Sequence, residues 1–412
     1  MSLAVPEPHL RPDQMVARAV ALRQHLRDDQ AKTEARSRYS EETHTLFTEA
    51  GFYRMLQPRM FGGYEFEPQT FYRTIIEIAR GCPSTGWMLC LGSGHALQVG
   101  SSFSQPAQAE IFGPDGHFLA PLSVGNFPGS RALRSVEGGY RLSGKWRYAS
   151  GVPYSTHFMG LAEMEGVDPP DVRLIVVPRG GYEVLEDWGE LIGLKGSGSN
   201  SVVVDDAFLP ADHVVPVSQF MGESPLTSTP LPGGAIHDNP MYSGGFMGFA
   251  IGELTVVQVG AARAMLDEYE EMLGDLPIVS MSGNVPTKRY TDHDYQRCFG
   301  MALGWVDAAH GIMMRAGEIY MEMATKAFEA GRPVTSEDHW RLYGMIQTAD
   351  KLSWEAGELL FRTAGSAASL DGRRMQRYWR DLCAFRSNSV HQFDFRSRAV
   401  TQARFGLPVE RF

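Results

Sequence analysis

Three stretches of the 412-residue chain hold polar side chains in patterns that could serve a ligand. The first is Ser143-Gly144-Lys145-Trp146-Arg147-Tyr148-Ala149-Ser150-Gly151, a strand running into a tight small-residue turn. Trp146 could lie flat against a planar ligand, and Ser150 offers a hydroxyl that both donates and accepts. The plain alternative is a core tryptophan followed by a turn serine. The second runs from Asp187 through Gly193-Leu194-Lys195-Gly196-Ser197-Gly198-Ser199 to Val202-Val203-Val204-Asp205-Asp206-Ala207-Phe208-Leu209-Pro210. Glycines alternating with serines let backbone N–H groups approach a ligand and can form an anion nest. A glycine-rich link between strands is the plain alternative. The third is Arg377-Tyr378-Trp379-Arg380-Asp381, with His391 ten residues beyond the aspartate. A histidine can deprotonate a phenol, hydrogen-bond a phenolate or protonate a peroxide oxygen, or it can be a helix histidine satisfied by a carbonyl.

His95 is a second histidine of interest. It sits in Gly92-Ser93-Gly94-His95-Ala96, on an otherwise apolar, small-residue helix. A lone polar side chain there needs a partner or a ligand. Ser123, in Ala120-Pro121-Leu122-Ser123, is a further candidate. His237 lies in a Gly-, Pro-, Ser- and Met-rich run over 218–248. Its aromatics and methionines suit an adaptable lid, or a surface excursion or subunit contact.

Three parts must position these residues. Residues 1–119 read as helices, with Val16, Val20, Leu22 and Leu26 on one face, Ser40 as an N-cap, and a helix from Trp87 to Val99. Residues 120–217 hold six or so short strand-like runs at the spacing of a small barrel or sandwich, with a hairpin at Gly138-Gly139. From Gly252 the pattern is helical again, over 252–273, 295–330, 336–368 and a last segment through Phe405. Helices this long suggest a packed bundle. The fold class expected is α+β, with domains at 1–119, 120–217 and 218–412, the last carrying the 218–248 loop.

The formal net charge of -10 disfavours a nucleic-acid or anionic-membrane partner. No run of about 20 uninterrupted apolar residues predicts a membrane span, and the start lacks a signal-peptide pattern. Cys82, Cys90, Cys298 and Cys383 form no CxxC pair and read as reduced thiols, with no metal site. A cytoplasmic protein is expected. No GxGxxG, Walker A, HExxH or GxSxG motif supports other chemistry.

Helices, then a small β domain, then a helical bundle is the order of the acyl-CoA dehydrogenase superfamily, and the three strings resemble its motifs. Trp146-Arg147-Tyr148-Ala149-Ser150-Gly151 resembles the G-x-W-x-F-A-S-G signature of its two-component flavin monooxygenases, with Tyr148 in place of the usual Phe. In that branch the serine stands near flavin N5 and helps hold a C4a-hydroperoxyflavin. Most acyl-CoA dehydrogenases carry a catalytic glutamate about eight residues after the motif aspartate. Here that position is Ser389, beside Asn388, whereas the oxygenases have a histidine two residues further on, matching His391. The resemblance implies an oxygenase component that uses reduced FMN or FAD, delivered by a separate NAD(P)H-dependent flavin reductase, and O2 to hydroxylate a phenolic or polycyclic aromatic substrate. It implies catalytic roles for His391, Ser150 and His95. It implies flavin contacts at Trp146, Ser150, Ser123, Gly196, Ser197, Ser199 and Gly365, and a homotetramer to which Gly365 contributes. Two alternatives stay open. One is a dehydrogenase with Glu253 as base, and the other is N- or S-oxygenation on the same fold.

Overall fold

The computed structural model describes residues 2–124, 131–217, 230–278 and 288–409. The first part holds α1 (Pro12–Arg36), α2 (Glu41–Glu49), α3 (Pro68–Gly81), α4 (Pro83–Ser93), α5 (Ala96–Ser102) and α6 (Gln105–Phe112). Proline is the first residue of α1, α3 and α4 and the second of α6, positions where its missing N–H costs nothing. Ser40 caps α2 by accepting from the Thr43 N–H at 3.1 Å, a contact worth about 1 kcal/mol. The buried face of α1 differs from the expected stripe. Met15, Ala19, Leu26, Gln30 and Thr33 are interior, while Val20 is 44% exposed. Gln30 is tolerated inside because its amide donates to the Gly81 carbonyl and the Tyr378 hydroxyl. The helix expected from Trp87 to Val99 is broken at Gly94-His95 into α4 and α5.

The middle part is one eight-stranded sheet: β1 (Leu122–Ser123), β2 (Arg131–Val136), β3 (Gly139–Trp146), β4 (His157–Met164), β5 (Val172–Pro178), β6 (Glu183–Val184), β7 (Val202–Pro210) and β8 (Val214–Pro216). Its order is β6-β7-β3-β2-β4-β5-β8, with β1 beside β4. Val136 pairs with Gly139, so the hairpin turn is Glu137-Gly138, one residue earlier than the sequence suggests. Gly138 takes the left-handed φ of 78° that this turn needs. Side chains alternate with the pleat. Leu142, Trp146, Phe158, Ile175, Val202 and Leu209, from four strands, meet in one interior cluster, while Met159, Leu174 and Val176 face α5 and α6.

The last part holds the short α7 (Gly233–His237), then α8 (Phe246–Asp275), α9 (His293–Ala330), α10 (Ser336–Thr363), α11 (Arg374–Arg386) and α12 (Phe393–Arg404). α8 starts six residues before Gly252, so Phe246 and Phe249 are helical. Met241 and Tyr242 are fully buried, with the Tyr242 hydroxyl donating to the Leu56 carbonyl. This half of the expected lid is therefore interior packing, and residues 218–229 lie outside the described residues. Helix α8 packs against α3, α4, α9, α10 and α11. Its stretch Gly248–Asp275 is apolar enough by composition to cross a membrane, but 83% of its most apolar window is buried in the fold, the position such a helix takes at the centre of a bundle.

Candidate active site

The end of β3 and the glycine-rich segment before β7 meet at Ser150. Trp87, on α4, donates from Nε1 to Ser150 Oγ at 2.8 Å. Ser150 Oγ lies 2.7 Å from Ser199 Oγ, which lies 2.7 Å from Ser197 Oγ. All three serines are buried. An indole N–H can only donate, so Ser150 accepts from Trp87 and keeps its own proton for the serine chain or a ligand. The turn behind it is strained: Tyr148 has φ 61°, a conformation that costs about 1–2 kcal/mol for a residue with a Cβ. The Gly151 N–H fixes the turn by donating to the carbonyls of Ser197 and Gly198. Ser123 joins from β1, its hydroxyl donating to the Arg147 carbonyl at 2.6 Å. The structure thus brings together Ser150, Ser197, Ser199 and Ser123.

Trp146 does not join them. It is fully buried inside the sheet, donates to the Leu161 carbonyl and meets Phe158 edge-on, so it offers no open face to a planar ligand. The alternation that puts Ser150's turn at the surface of the sheet sends Trp146 inward. Gly196 has an internal reason for being glycine: a Cβ there would lie 2.5 Å from Thr33 Cγ2 on α1. Gly365, exposed at the end of α10 beside Arg289, takes part in none of these contacts.

The Arg-x-x-Arg-Asp string holds the glycine-rich segment in place. Asp381 Oδ1 accepts from the Leu194 N–H at 2.6 Å. Arg380 donates to the Ile192 carbonyl and pairs with Glu34 of α1, and Arg377 pairs with the same glutamate. A Cβ on Gly193 would lie 2.0 Å from the Arg380 carbonyl oxygen, so the loop touches α11 backbone to backbone. Burial pushes the Asp381 carboxyl up to about 7.

His391 lies in a 3₁₀ turn (Ser389–His391) between α11 and α12, fully buried. Its Nδ1 is 3.3 Å from Asp350 Oδ2 on α10 and 2.9 Å from the Gln258 amide nitrogen on α8. A carboxylate only accepts, which assigns the Nδ1 proton. Turning the Gln258 amide by half a rotation lets its oxygen accept from the same N–H. His391 Nε2 and Asp350 Oδ1 have no hydrogen-bond partner among the described residues. Phe385 meets His391 edge-on at 6.0 Å and Trp87 edge-on at 5.0 Å. His391 and Ser150 therefore stand on two sides of one aromatic pair.

His95 sits at the break between α4 and α5. Its Nδ1 is 2.7 Å from the Ala120 carbonyl, so Nδ1 carries the proton and Nε2 presents a lone pair. Burial holds its pKa down to about 4. Nε2 lies 3.8 Å from Glu253 Oε2 on α8. Glu253 is fully buried, neither carboxyl oxygen has a partner among the described residues, and burial raises its pKa well above the carboxylate range. The partners of the two histidines, Glu253 and Gln258, are five residues apart on α8, about 7.5 Å along its axis. His237 is not part of this junction: it bonds Gln108 and packs against Tyr242.

Sequence reasoning missed Trp87, Gln258, Asp350 and Phe385 as neighbours of the site. Asp350 left a trace, since a charged residue stands among Ile346, Ala349 and Ala356 on the buried side of α10. Such a residue must find a partner. The identity of that partner is a matter of tertiary contact.

The three-part order and the junction at Ser150 define an acyl-CoA dehydrogenase fold, and residues 254–393 match the family described as acyl-CoA dehydrogenase, C-terminal domain. Relatives matched along nearly the whole chain are oxygenase components of flavin-dependent monooxygenases. It is 28% identical to the oxygenase subunit HsaA of a flavin-dependent monooxygenase from Rhodococcus jostii, over 94% of this chain and 97% of that protein. It is 26% identical to the oxygenase component of an FADH2-dependent resorcinol hydroxylase from a Rhizobium species, over 97% and 95%. Among solved structures, 3-HSA hydroxylase from Rhodococcus sp. RHA1 superposes with a TM-score of 0.84 at 26% identity, covering 97% of this chain and 98% of that one.

Proposed function

We propose that this chain is the oxygenase component of a two-component flavin-dependent monooxygenase that hydroxylates a phenolic or polycyclic aromatic substrate. Reduced flavin from a separate reductase supplies the electrons and the oxygen-activating centre when bound. The residues present fit such a group: a planar cofactor with polar edges suits the linked hydroxyls of Ser150, Ser199 and Ser197 beside the Trp87–Phe385 pair. Ser150, oriented by Trp87 and backed by Ser199 and Ser197, would hold the cofactor's polar edge. Ser123 would border it, through its bond to the strand end that carries Ser150. His391 would act on a substrate proton through Nε2, with Asp350 and Gln258 fixing its tautomer and ring plane. Buried aromatic packing at Trp87 and Phe385 would exclude water.

One observation carries oxygenation over dehydrogenation. A dehydrogenase needs an ionised carboxylate to take a substrate proton. Ser389 occupies the position of the usual glutamate, and Glu253 is buried with no hydrogen-bond partner for either carboxyl oxygen among the described residues, burial raising its pKa well above the carboxylate range. Mixing protein loaded with reduced FMN or FAD against O2 should give a transient near-ultraviolet species ahead of flavin reoxidation. Acyl-CoA-dependent flavin reduction without that transient would overturn the reading. His391→Ala should keep flavin affinity and lose product while consuming O2, and an unchanged product yield would remove His391 from its role. A homotetramer is proposed as well, and a monomer by light scattering counts against it.

A further inference from the structure

Gly92, in the last turn of α4, is a buried glycine that packing does not explain. The glycines on either side of it are pressed by their surroundings. A Cβ on Gly86 would lie 2.7 Å from Ala79 Cβ, and one on Gly94 would lie 1.6 Å from Glu253 Oε1. A Cβ on Gly92 would meet nothing within 4 Å beyond its own turn of helix. Among the described residues, every other glycine with such open space is exposed or half-buried. The backbone at Gly92 is helical, so it admits any L side chain. Glycine in a helix is less stable than alanine, and protein interiors are close-packed. A buried position that gives up both leaves room for a ligand.

The space adjoins the candidate active site. Gly151, next to Ser150, packs against the same turn: a Cβ there would lie 3.8 Å from the Gly92 Cα and 3.6 Å from Met88 Cγ. The Ala120 N–H donates to the Gly92 carbonyl, and the Ala120 carbonyl accepts from His95, which ties Gly92 to the α4–α5 break. Leu91 is the one residue of α4 that keeps part of its surface uncovered, which matches an opening at this point. The side chains next to the space offer no free polar atom. Met88 and Leu91 are apolar, and the Ser93 hydroxyl is spent on the Leu89 carbonyl. Apolar space of this kind stays dry and takes apolar rings.

We propose that the space beside Gly92 receives an aromatic ring of the substrate, and that Gly92 sets the upper limit on the size of the ring system accepted. This rests on the function proposed above. The ring is the substrate's because the hydroxyls suited to the cofactor's polar edge, Ser150, Ser197 and Ser199, are linked to one another and to Trp87, whereas Gly92 has Met88 and Leu91 beside it.

The test measures binding of phenol and of 2-naphthol, which adds one fused ring, to the protein loaded with reduced FMN, by anaerobic equilibrium dialysis. Wild type should bind 2-naphthol about tenfold more tightly than phenol, the effect of burying the added ring. Gly92→Val should lose that preference through weaker 2-naphthol binding, with phenol and reduced FMN unchanged within about threefold, and Gly92→Ala should fall between. Gly92→Ala should fold with a Tm no lower than wild type, because its methyl group enters open space and favours the helix. Gly92→Val keeping the preference, or wild type showing none, would overturn the proposal. So would FMN affinity falling as far as 2-naphthol affinity, which would give the space to the cofactor, or a lower Tm in Gly92→Ala, which would mean that the space is filled. The near-ultraviolet transient with O2 needs no aromatic probe. Its presence alongside any of those results means that the ring pocket fails while the oxygenase reading stands.

Discussion

Asp350 and His391 face each other across the contact between α10 and the turn after α11, with carboxyl oxygen and Nδ1 3.3 Å apart and both side chains buried. The carboxylate sets the proton on Nδ1 and leaves Nε2 without a partner among the described residues, so that its lone pair would be the atom that works on a substrate. Asp350→Ala should lower coupled product formation by roughly 10-fold to 10²-fold, up to the low end of what general acid–base groups supply, because the histidine itself remains. Flavin affinity should stay the same, and Asp350→Asn, whose amide oxygen still accepts from Nδ1, should recover much of the loss. A uniform loss of flavin binding in Asp350→Ala would instead mark a purely structural residue.

Trp87 and Ser150 form the second pair. Trp87→Phe removes the donor that orients the serine hydroxyl while keeping most of the ring volume against Phe385. The lifetime of the near-ultraviolet transient should shorten several-fold in Trp87→Phe and in Ser150→Ala alike, and the double variant should be no worse than the singles. Stopped-flow absorbance reads this directly. Additive effects would separate the two residues.

Asp381 gives a pH signature. Burial raises its pKa to about 7 in the folded protein, from an ordinary value of 3.8. Between those values the unfolded chain has lost the proton and the folded one keeps it, so this group's contribution to stability falls as pH rises from about 4 to 7. Asp381→Asn cannot ionise and still accepts from Leu194. The variant should therefore gain on wild type across that window, by denaturant midpoints measured at pH 5 and pH 7. An unchanged difference between the two pH values would contradict it.

Buried histidines give the opposite slope. Burial holds His95, His157 and His339 down to about 4, below the ordinary 6.5. The unfolded chain takes up their protons first, so stability is lost as pH falls from about 6.5 toward 4. His339→Gln should show a shallower fall in Tm between pH 6.5 and 5 than wild type. Equal slopes would mean that His339 titrates normally.

Glu253 should cost stability. Replacing an unpaired buried carboxyl with an apolar side chain of similar length removes a desolvation penalty. Glu253→Met is expected to raise Tm by about 1–2 °C, for a gain on the order of 1–2 kcal/mol. A lower Tm would show that the carboxyl has a structural partner.

The sequence by itself determined the elements and the chemistry they carry. Strand alternation, the cap at Ser40 and the long bundle helices follow local rules of period and turn residues, which act over a few residues and are therefore legible along the chain. The string ending at Ser150 and the histidine ten residues after Asp381 were also visible, because they are short runs with distinctive side chains. Tertiary structure decided what those side chains touch. It put Trp146 inside the sheet and Trp87, from α4, on Ser150. It turned Arg377, Arg380 and Asp381 into a clamp on the glycine-rich segment. It gave His391 a carboxylate from α10 and an amide from α8. It also left Glu253 without a hydrogen-bond partner among the described residues, beside His95 at a helix break that the apolar run from Trp87 to Val99 did not announce. These are contacts between residues tens to hundreds of positions apart. Their formation depends on how packed helices and a sheet fit against one another, and no periodicity within a single segment encodes that.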